Sequence, residues 1–262
     1  MVITKEELMK DKSKVKLKVL LNGAFGSGKT FGAMTFPKWA YAQIEPNGLM
    51  TAKSNPELLE NMVVADQFIL SKDEDVKDTF SRLSAFCTEM REKAKKGEID
   101  TFILDNLTHL SINRWSFIEK YEKAISPRTG KEDTQSMYGS LSKWLYKFIL
   151  TEVVSLPCHV VVCCHEQDEE EDDGTGKLVK TGRTISQTLG GFRNQAASLF
   201  NASLFLECKQ QKGVYQYTAR CLPSSGKAAK NNLGLPEMVE NICFKTIMDN
   251  VHREVVSKPV AK

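Results

Sequence analysis

The chain has 262 residues, 41% of them hydrophobic and 26% charged, with a formal net charge of +3. That length and apolar share suffice for one large α/β domain whose core needs no covalent staples. The near-balanced charge excludes a polycation, so any contact with nucleic acid has to come from a local patch.

The opening "MVITKEELMKDKSKVKLKVLL" lacks the uncharged apolar core of a secretory signal. "VKLKVLLN" (Val15–Asn22) begins with alternation and ends apolar, which predicts a strand entering a covered sheet. A glycine-rich loop follows, then a short helix stopped at Pro37. "WAYAQIEPNG" predicts a second strand, ended by Pro46 and the turn residues Asn47 and Gly48. Between residues 73 and 96, Val76, Phe80, Leu83, Phe86, Met90 and Ala94 recur in steps of three and four, an amphipathic helix with Gly97 as its stop. "DTFILDN" is a short buried strand ending in an acid, and "SPRTGKEDTQSMYG" is loop-like. Met137, Leu141, Trp144, Leu145, Phe148 and Ile149 mark another helical face.

"CHVVVCC" is a β-branched strand, and "EQDEEEDDGTGK" an acidic turn. "ASLFLECKQQKGVYQYTARCL" predicts a hairpin with Lys212 and Gly213 at its tip, and "LPEMVENICFKTIMDNV" a closing helix. Strands alternating with helices, without internal repeat, imply a mostly parallel sheet in one domain. Seven cysteines, an odd count with several in apolar runs, fit a reducing cytoplasm. Cys158, Cys163, Cys164 and His165 lack the paired spacing of structural zinc sites and read as strand residues. No uncharged apolar stretch reaches the ~18 residues of a membrane span.

The chemistry is concentrated between the first strand and first helix. Gly23, Ala24, Phe25, Gly26, Ser27, Gly28, Lys29 and Thr30 match the phosphate-loop pattern of two glycines, a lysine and a hydroxyl residue. Gly26 and Gly28 accept positive φ, which lets successive backbone N–H groups face one anion. The following helix adds its N-terminal dipole, Lys29 reaches the β and γ phosphates of a nucleoside triphosphate, and Thr30 ligates Mg²⁺. A partner acid is required on a neighbouring strand, and Asp105 ends "TFILD" where open α/β sheets bind ligands. Its competing reading is the N-cap of a helix beginning near Leu107. Glu45 ends "YAQIE"; on pattern alone it is equally an acid that orients water or a solvated loop carboxylate.

The order of these pieces, from the phosphate loop through "QIEPNG" and "FILDNLTHL" to "VVVCCHEQ", resembles the RecA-like ATPase core. More narrowly, "KTFGAMTFPKWAYAQIEPNG", "MYGSLSKWLYKFI" and "HVVVCCHE" resemble phage-encoded RecA-like nucleotide-binding proteins, some of which act in single-strand annealing and recombination. The resemblance spans Val15 to Val251 and implies a RecA-like P-loop NTPase domain over 15–251. Its sheet is mostly parallel, flanked by helices, and carries the C-terminal antiparallel hairpin. Residues 1–14 are left as a segment for protomer contact and 252–262 as a tail.

The resemblance further implies an ATP hydrolase using ATP and Mg²⁺ in the host cytoplasm. Glu45 becomes the catalytic glutamate and His165 a γ-phosphate sensor, against the plainer reading of a hydrogen-bonded strand-end histidine. His109 is expected to be structural. ATP would lie between subunits of a ring or filament, completed by a neighbour's Lys230 or Lys227, with Arg183 and Arg193 as competitors. Loops 126–139 and 166–195 would hold single-stranded DNA, with Lys177, Lys180, Arg183 and Arg193 on phosphates and Phe192 stacking a base. A phage single-strand DNA-binding protein is a further expected partner. The run Glu169–Asp173 opposes DNA and keeps a second class open, an assembly factor acting on protein partners. A third class, a small-molecule kinase, would need an arginine-rich lid that this acidic segment does not supply.

Overall fold

Every residue of "WAYAQ", "TFILD" and "HVVVCC" is buried in a computed structural model of the chain. Such strands need cover on both faces, and this sheet has it. The structure describes residues 16–71, 75–211, 214–223 and 226–252. The expected segment 1–14, the tail beyond its first residue, and the hairpin tip at Lys212 and Gly213 lie outside the described residues.

The elements run β1 (Lys18–Gly23), α1 (Lys29–Met34), β2 (Trp39–Gln43), α2 (Met50–Ser54), β3 (Met62–Gln67), α3 (Val76–Lys95), β4 (Thr101–Asp105), α4 (Leu107–Tyr121) and α5 (Thr134–Phe148). They continue with β5 (His159–Cys164), β6 (Glu166–Asp172), β7 (Leu178–Ser186), β8 (Ala202–Gln211), β9 (Val214–Arg220), β10 (Lys230–Asn231), β11 (Met238–Glu240) and α6 (Phe244–His252). Among the described residues nine strands form one sheet in the order β11-β9-β8-β1-β5-β4-β2-β3, with β10 also on β8. The six from β8 to β3 are parallel, and β9, β10 and β11 are antiparallel. This is the expected fold class, hairpin included. Among the described residues no helix is long and apolar enough to cross a membrane.

Side chains alternate along each strand, so the sheet builds two cores. Leu20, Ala42, Leu104 and Val162 face α3, α4 and α5 through Leu83, Leu110 and Leu141. Leu21, Tyr41, Ile103 and Val161 face the other way, against Met34 of α1, Ala52 of α2 and Ile247 of α6. Helix α3 starts where the Asp75 carboxylate accepts from the Lys77 N–H, and ends before Gly97 at φ 71°. Residues 149–154 continue α5 as a π-helical turn.

Three expectations need correction. Residues 62–67 are a strand that the sequence reading passed over; it pairs with β2 at the sheet edge. The acidic segment is not a turn: Glu166–Asp172 pairs antiparallel with Leu178–Ser186 in a separate two-stranded ribbon. The closing helix is shorter than expected, because Met238–Glu240 adds a strand to β9 and only Phe244–His252 is helical.

Candidate nucleotide site

Four strand tips meet at the C-terminal edge of the parallel sheet, where such sheets bind ligands. β1 leads into the phosphate loop, β4 ends in Asp105, and Glu45 and His165 lie just beyond β2 and β5. Register places Gln43 of β2 opposite Asp105, and Asp105 opposite Cys163 of β5. The Asp105 carbonyl accepts from the N–H groups of Ile44 and Glu45, at 2.6 and 3.0 Å. The backbone of Glu45 is thereby tied to the strand that carries Asp105.

The loop has the backbone its glycines permit. Gly28 caps α1 at φ 90°, a left-handed conformation open to glycine at no steric cost. A Cβ there would also stand 3.0 Å from the Tyr217 ring. The Lys29 ammonium is buried and donates to the carbonyls of Gly23 and Ala24, each at 2.8 Å.

Asp105 is buried, and its Oδ2 accepts from Thr30 Oγ1 and from the Tyr41 hydroxyl, both at 2.7 Å. Burial pushes its carboxyl above the usual carboxylate range, while the bonds from Tyr41 and Thr30 oppose that shift. Burial, followed by the charge of Asp105, in turn drives the Tyr41 phenol upward. Asp105 Oδ1 has no hydrogen-bond partner among the described residues. A hydroxyl touching a carboxylate whose second oxygen is orphaned is a hard all-oxygen donor set, and it fits Mg²⁺. The pairing also settles the competing reading of Asp105: the N-cap of α4 is Asn106, whose side chain accepts from the His109 N–H. Gly48 closes over this acid, and a Cβ there would come within 2.2 Å of the Tyr41 hydroxyl.

Beside the acid lies a second cluster. The ligand atoms of Glu45, His109 and His165 fall within 4.8 Å of one another. His165 Nε2 is 3.4 Å from Glu45 Oε1 and 3.0 Å from Asn106 Nδ2, which also donates to Glu45 Oε2. His165 is held by its backbone, its N–H donating to Thr108 Oγ1 at 3.0 Å and its carbonyl accepting from Gln187 at 2.7 Å. The exposed Phe25 ring of the phosphate loop packs 4.1 Å from the His165 ring. Burial raises the Glu45 carboxyl, but the hydrogen bond and charge of His165, then His109 and Lys29, leave it below the usual range. Burial lowers His109. His109 was expected to be structural; the structure instead brings it into the site.

Residues 25–30 of the loop, Glu45 and His165 thus line one cleft of about 930 Å³, with Asp105 buried behind Thr30. Phe31, Met50, Tyr217 and Ile242 line its apolar side. Sequence reasoning missed Tyr41, Asn106 and Tyr217. Asn106 had a signal, since asparagine directly before a helix is a strong N-cap; Tyr41 and Tyr217 enter only through sheet register and the fold of the hairpin.

The other expected residues lie apart. Lys227 pairs within its own chain with Glu166 at 2.7 Å and Glu207 at 3.9 Å. Lys230 donates to the Ser198 carbonyl at 3.0 Å. Lys180 pairs with Asp168 at 2.7 Å and Arg183 with Glu169 at 3.4 Å, so two of the expected phosphate contacts are matched by acids. Lys177 is exposed and Arg193 half-buried. The base-stacking role of Phe192 is corrected: the ring is 0% exposed and belongs to the core under α5. Thr134 onward, within the first expected DNA loop, is already α5.

A phosphate loop at the tip of a central parallel strand, with Thr30 on a buried strand-end acid, defines a P-loop nucleotide site. The family of AAA domains matches residues 15–233, and the chain belongs to it. It is an AAA-type P-loop ATPase, with the mostly parallel sheet and C-terminal antiparallel hairpin expected from the sequence. Solved structures of similar architecture include a KaiC-like protein from the hyperthermophilic archaeon Pyrococcus horikoshii OT3. That chain is 11% identical, with 78% of this chain and 77% of that one covered and a TM-score of 0.37. Comparison with curated proteins found no match.

Proposed function

We propose that the chain hydrolyses ATP with Mg²⁺, as an oligomer with nucleotide between protomers, and couples turnover to its grip on single-stranded DNA in phage recombination, annealing or replication. The observation that carries the hydrolytic part is the placement of Glu45, ionised and beside His165, on the strand tip next to the Thr30–Asp105 pair. Thr30 and Asp105 would hold Mg²⁺, which when bound supplies charge neutralisation at the β and γ phosphates.

The chain's own residues do the rest. Loop amides and Lys29 bind and orient the triphosphate. A Glu45 carboxylate oxygen takes a proton from the attacking water as the γ-phosphorus–oxygen bond to ADP breaks, giving ADP and phosphate. His165, 3.4 Å from Glu45, holds that carboxylate toward the loop. Lys230, on the two-residue strand β10, is the cation assigned to a neighbour's site, since Lys227 is held by two acids of its own chain. For DNA, Lys177 and Arg193 are the cations of the 166–195 segment that no acid pair of this ribbon engages among the described residues.

One observation favours a second reading. The ribbon exposes Glu170, Glu171 and Asp172 side by side, which repels a phosphate backbone and suits a basic protein surface. Phosphate release measured with and without single-stranded DNA, at about 50 and 200 mM salt, separates the two. The DNA reading expects stimulation that fades at the higher salt; turnover indifferent to DNA, with nucleotide-driven oligomers, overturns it for the protein-partner reading.

A further inference from the structure

Asn106 touches every member of the Glu45–His109–His165 cluster. Its Nδ2 bonds Glu45 Oε2 and lies 3.0 Å from His165 Nε2. Its Oδ1 meets the His109 backbone N at 2.9 Å and His109 Nδ1 at 3.1 Å. It is fully buried.

The helix cap fixes which end of the amide is which. A backbone N–H can only donate, so the atom that the His109 N–H meets is the oxygen. The –NH₂ end therefore faces Glu45 and His165, and the same His165 Nε2 lies 3.4 Å from Glu45 Oε1, so amide, ring and carboxylate form one cluster.

We propose that Asn106 is a positioning residue: anchored by the cap of α4, its amide sets the orientation of the Glu45 carboxylate. This rests on reading Glu45 as the group that activates water. The helix start and the attacking-water acid are then one mechanical unit. The Asp105 carbonyl holds the backbone of Glu45, and the next residue of the same strand end holds its side chain.

A purely structural cap would be replaceable by another capping residue. Asn106→Ser keeps a cap oxygen and stays neutral but has no amide donor for Glu45. Asn106→Asp keeps the shape and the cap oxygen and puts an acceptor where the donor was. Ser and Asn cap about equally well, so Asn106→Ser should melt within about 3 °C of wild type, whereas Asn106→Asp buries a second carboxylate beside Glu45 and should melt lower, which makes Asn106→Ser the deciding variant.

The test has two readouts on the full chain. The first is kcat and KM for Mg·ATP in Asn106→Ser, Asn106→Asp and Glu45→Gln. The proposal expects kcat to fall on the order of 10–100-fold in both Asn106 variants with KM little changed. The second is the thermal melt of each variant, which separates lost turnover from lost fold.

Wild-type turnover by both Asn106 variants alongside a dead Glu45→Gln overturns the inference and leaves the reading of Glu45 standing. Wild-type turnover by Glu45→Gln overturns that reading and with it the catalytic half of this proposal.

Discussion

Asp105 is a buried carboxylate with two hydroxyl donors on one oxygen and none among the described residues on the other. Its folded-state carboxyl lies above the usual range, first because of burial. An acid raised on folding ionises more readily in the unfolded chain, so its charge costs stability above the unfolded value. Asp105→Asn should therefore melt no lower than wild type at neutral pH without nucleotide, while losing Mg·ATP affinity by at least about tenfold. Thermal melts and titration calorimetry check both halves; a less stable variant with intact affinity would contradict the metal role. Glu45 is shifted the other way, downward on balance despite burial. Its base form persists into more acid solution, so the acid limb of kcat/KM should lie below the ordinary glutamate value of about 4.3. A pH–rate profile checks this; a limb above that value would mean another group controls turnover.

At the scale of elements, His159 joins β1 to β5 by accepting from the Leu17 N–H at 3.0 Å through Nδ1. Burial lowers its pKa from 6.5 to about 4. The unfolded chain then binds the extra proton first, so the contribution is complete above about 6.5 and is lost as pH falls toward 4. Urea unfolding at pH 7 and pH 5 should show lower stability at pH 5, and His159→Gln should flatten that slope. Phe192→Ala, by contrast, removes a fully buried ring and should cost about 3–5 kcal/mol in any buffer, with DNA contact affected only through stability.

These elements also show what the sequence could carry. The phosphate loop and Asp105 were legible because their signals are local: glycine spacing, and an acid ending a short apolar run. Strand β3 was not, because Met62 and Val63 are exposed and the strand shows no alternation. The acidic run looked like a turn because charge lowers strand propensity, yet Lys180 and Arg183 across the ribbon supply the missing balance. Met238–Glu240 shared helical spacing with the segment after it, and only pairing to β9 makes it a strand. Phe192, between glycines and an arginine, read as an exposed ring; the fold turns it under α5. The contacts of Tyr41 and Asn106 depend on register between β2 and β4, which no single segment encodes.

For the whole molecule, the parallel sheet brings four separated segments to one rim, and the antiparallel strands beyond β8 extend it away from that rim's acids. On the proposed reading, Lys230→Ala should keep nucleotide binding by the isolated chain and lose turnover in the oligomer, checked by calorimetry beside phosphate release. The claim on which all of this stands is that the rim holds a magnesium-bound nucleoside triphosphate. Calorimetric titration of Mg·ATP into wild type and Lys29→Ala tests it most directly. Saturable heat from wild type, lost or weakened at least ~100-fold in the variant, is the predicted result; equal binding by both chains, or none by wild type, would contradict it.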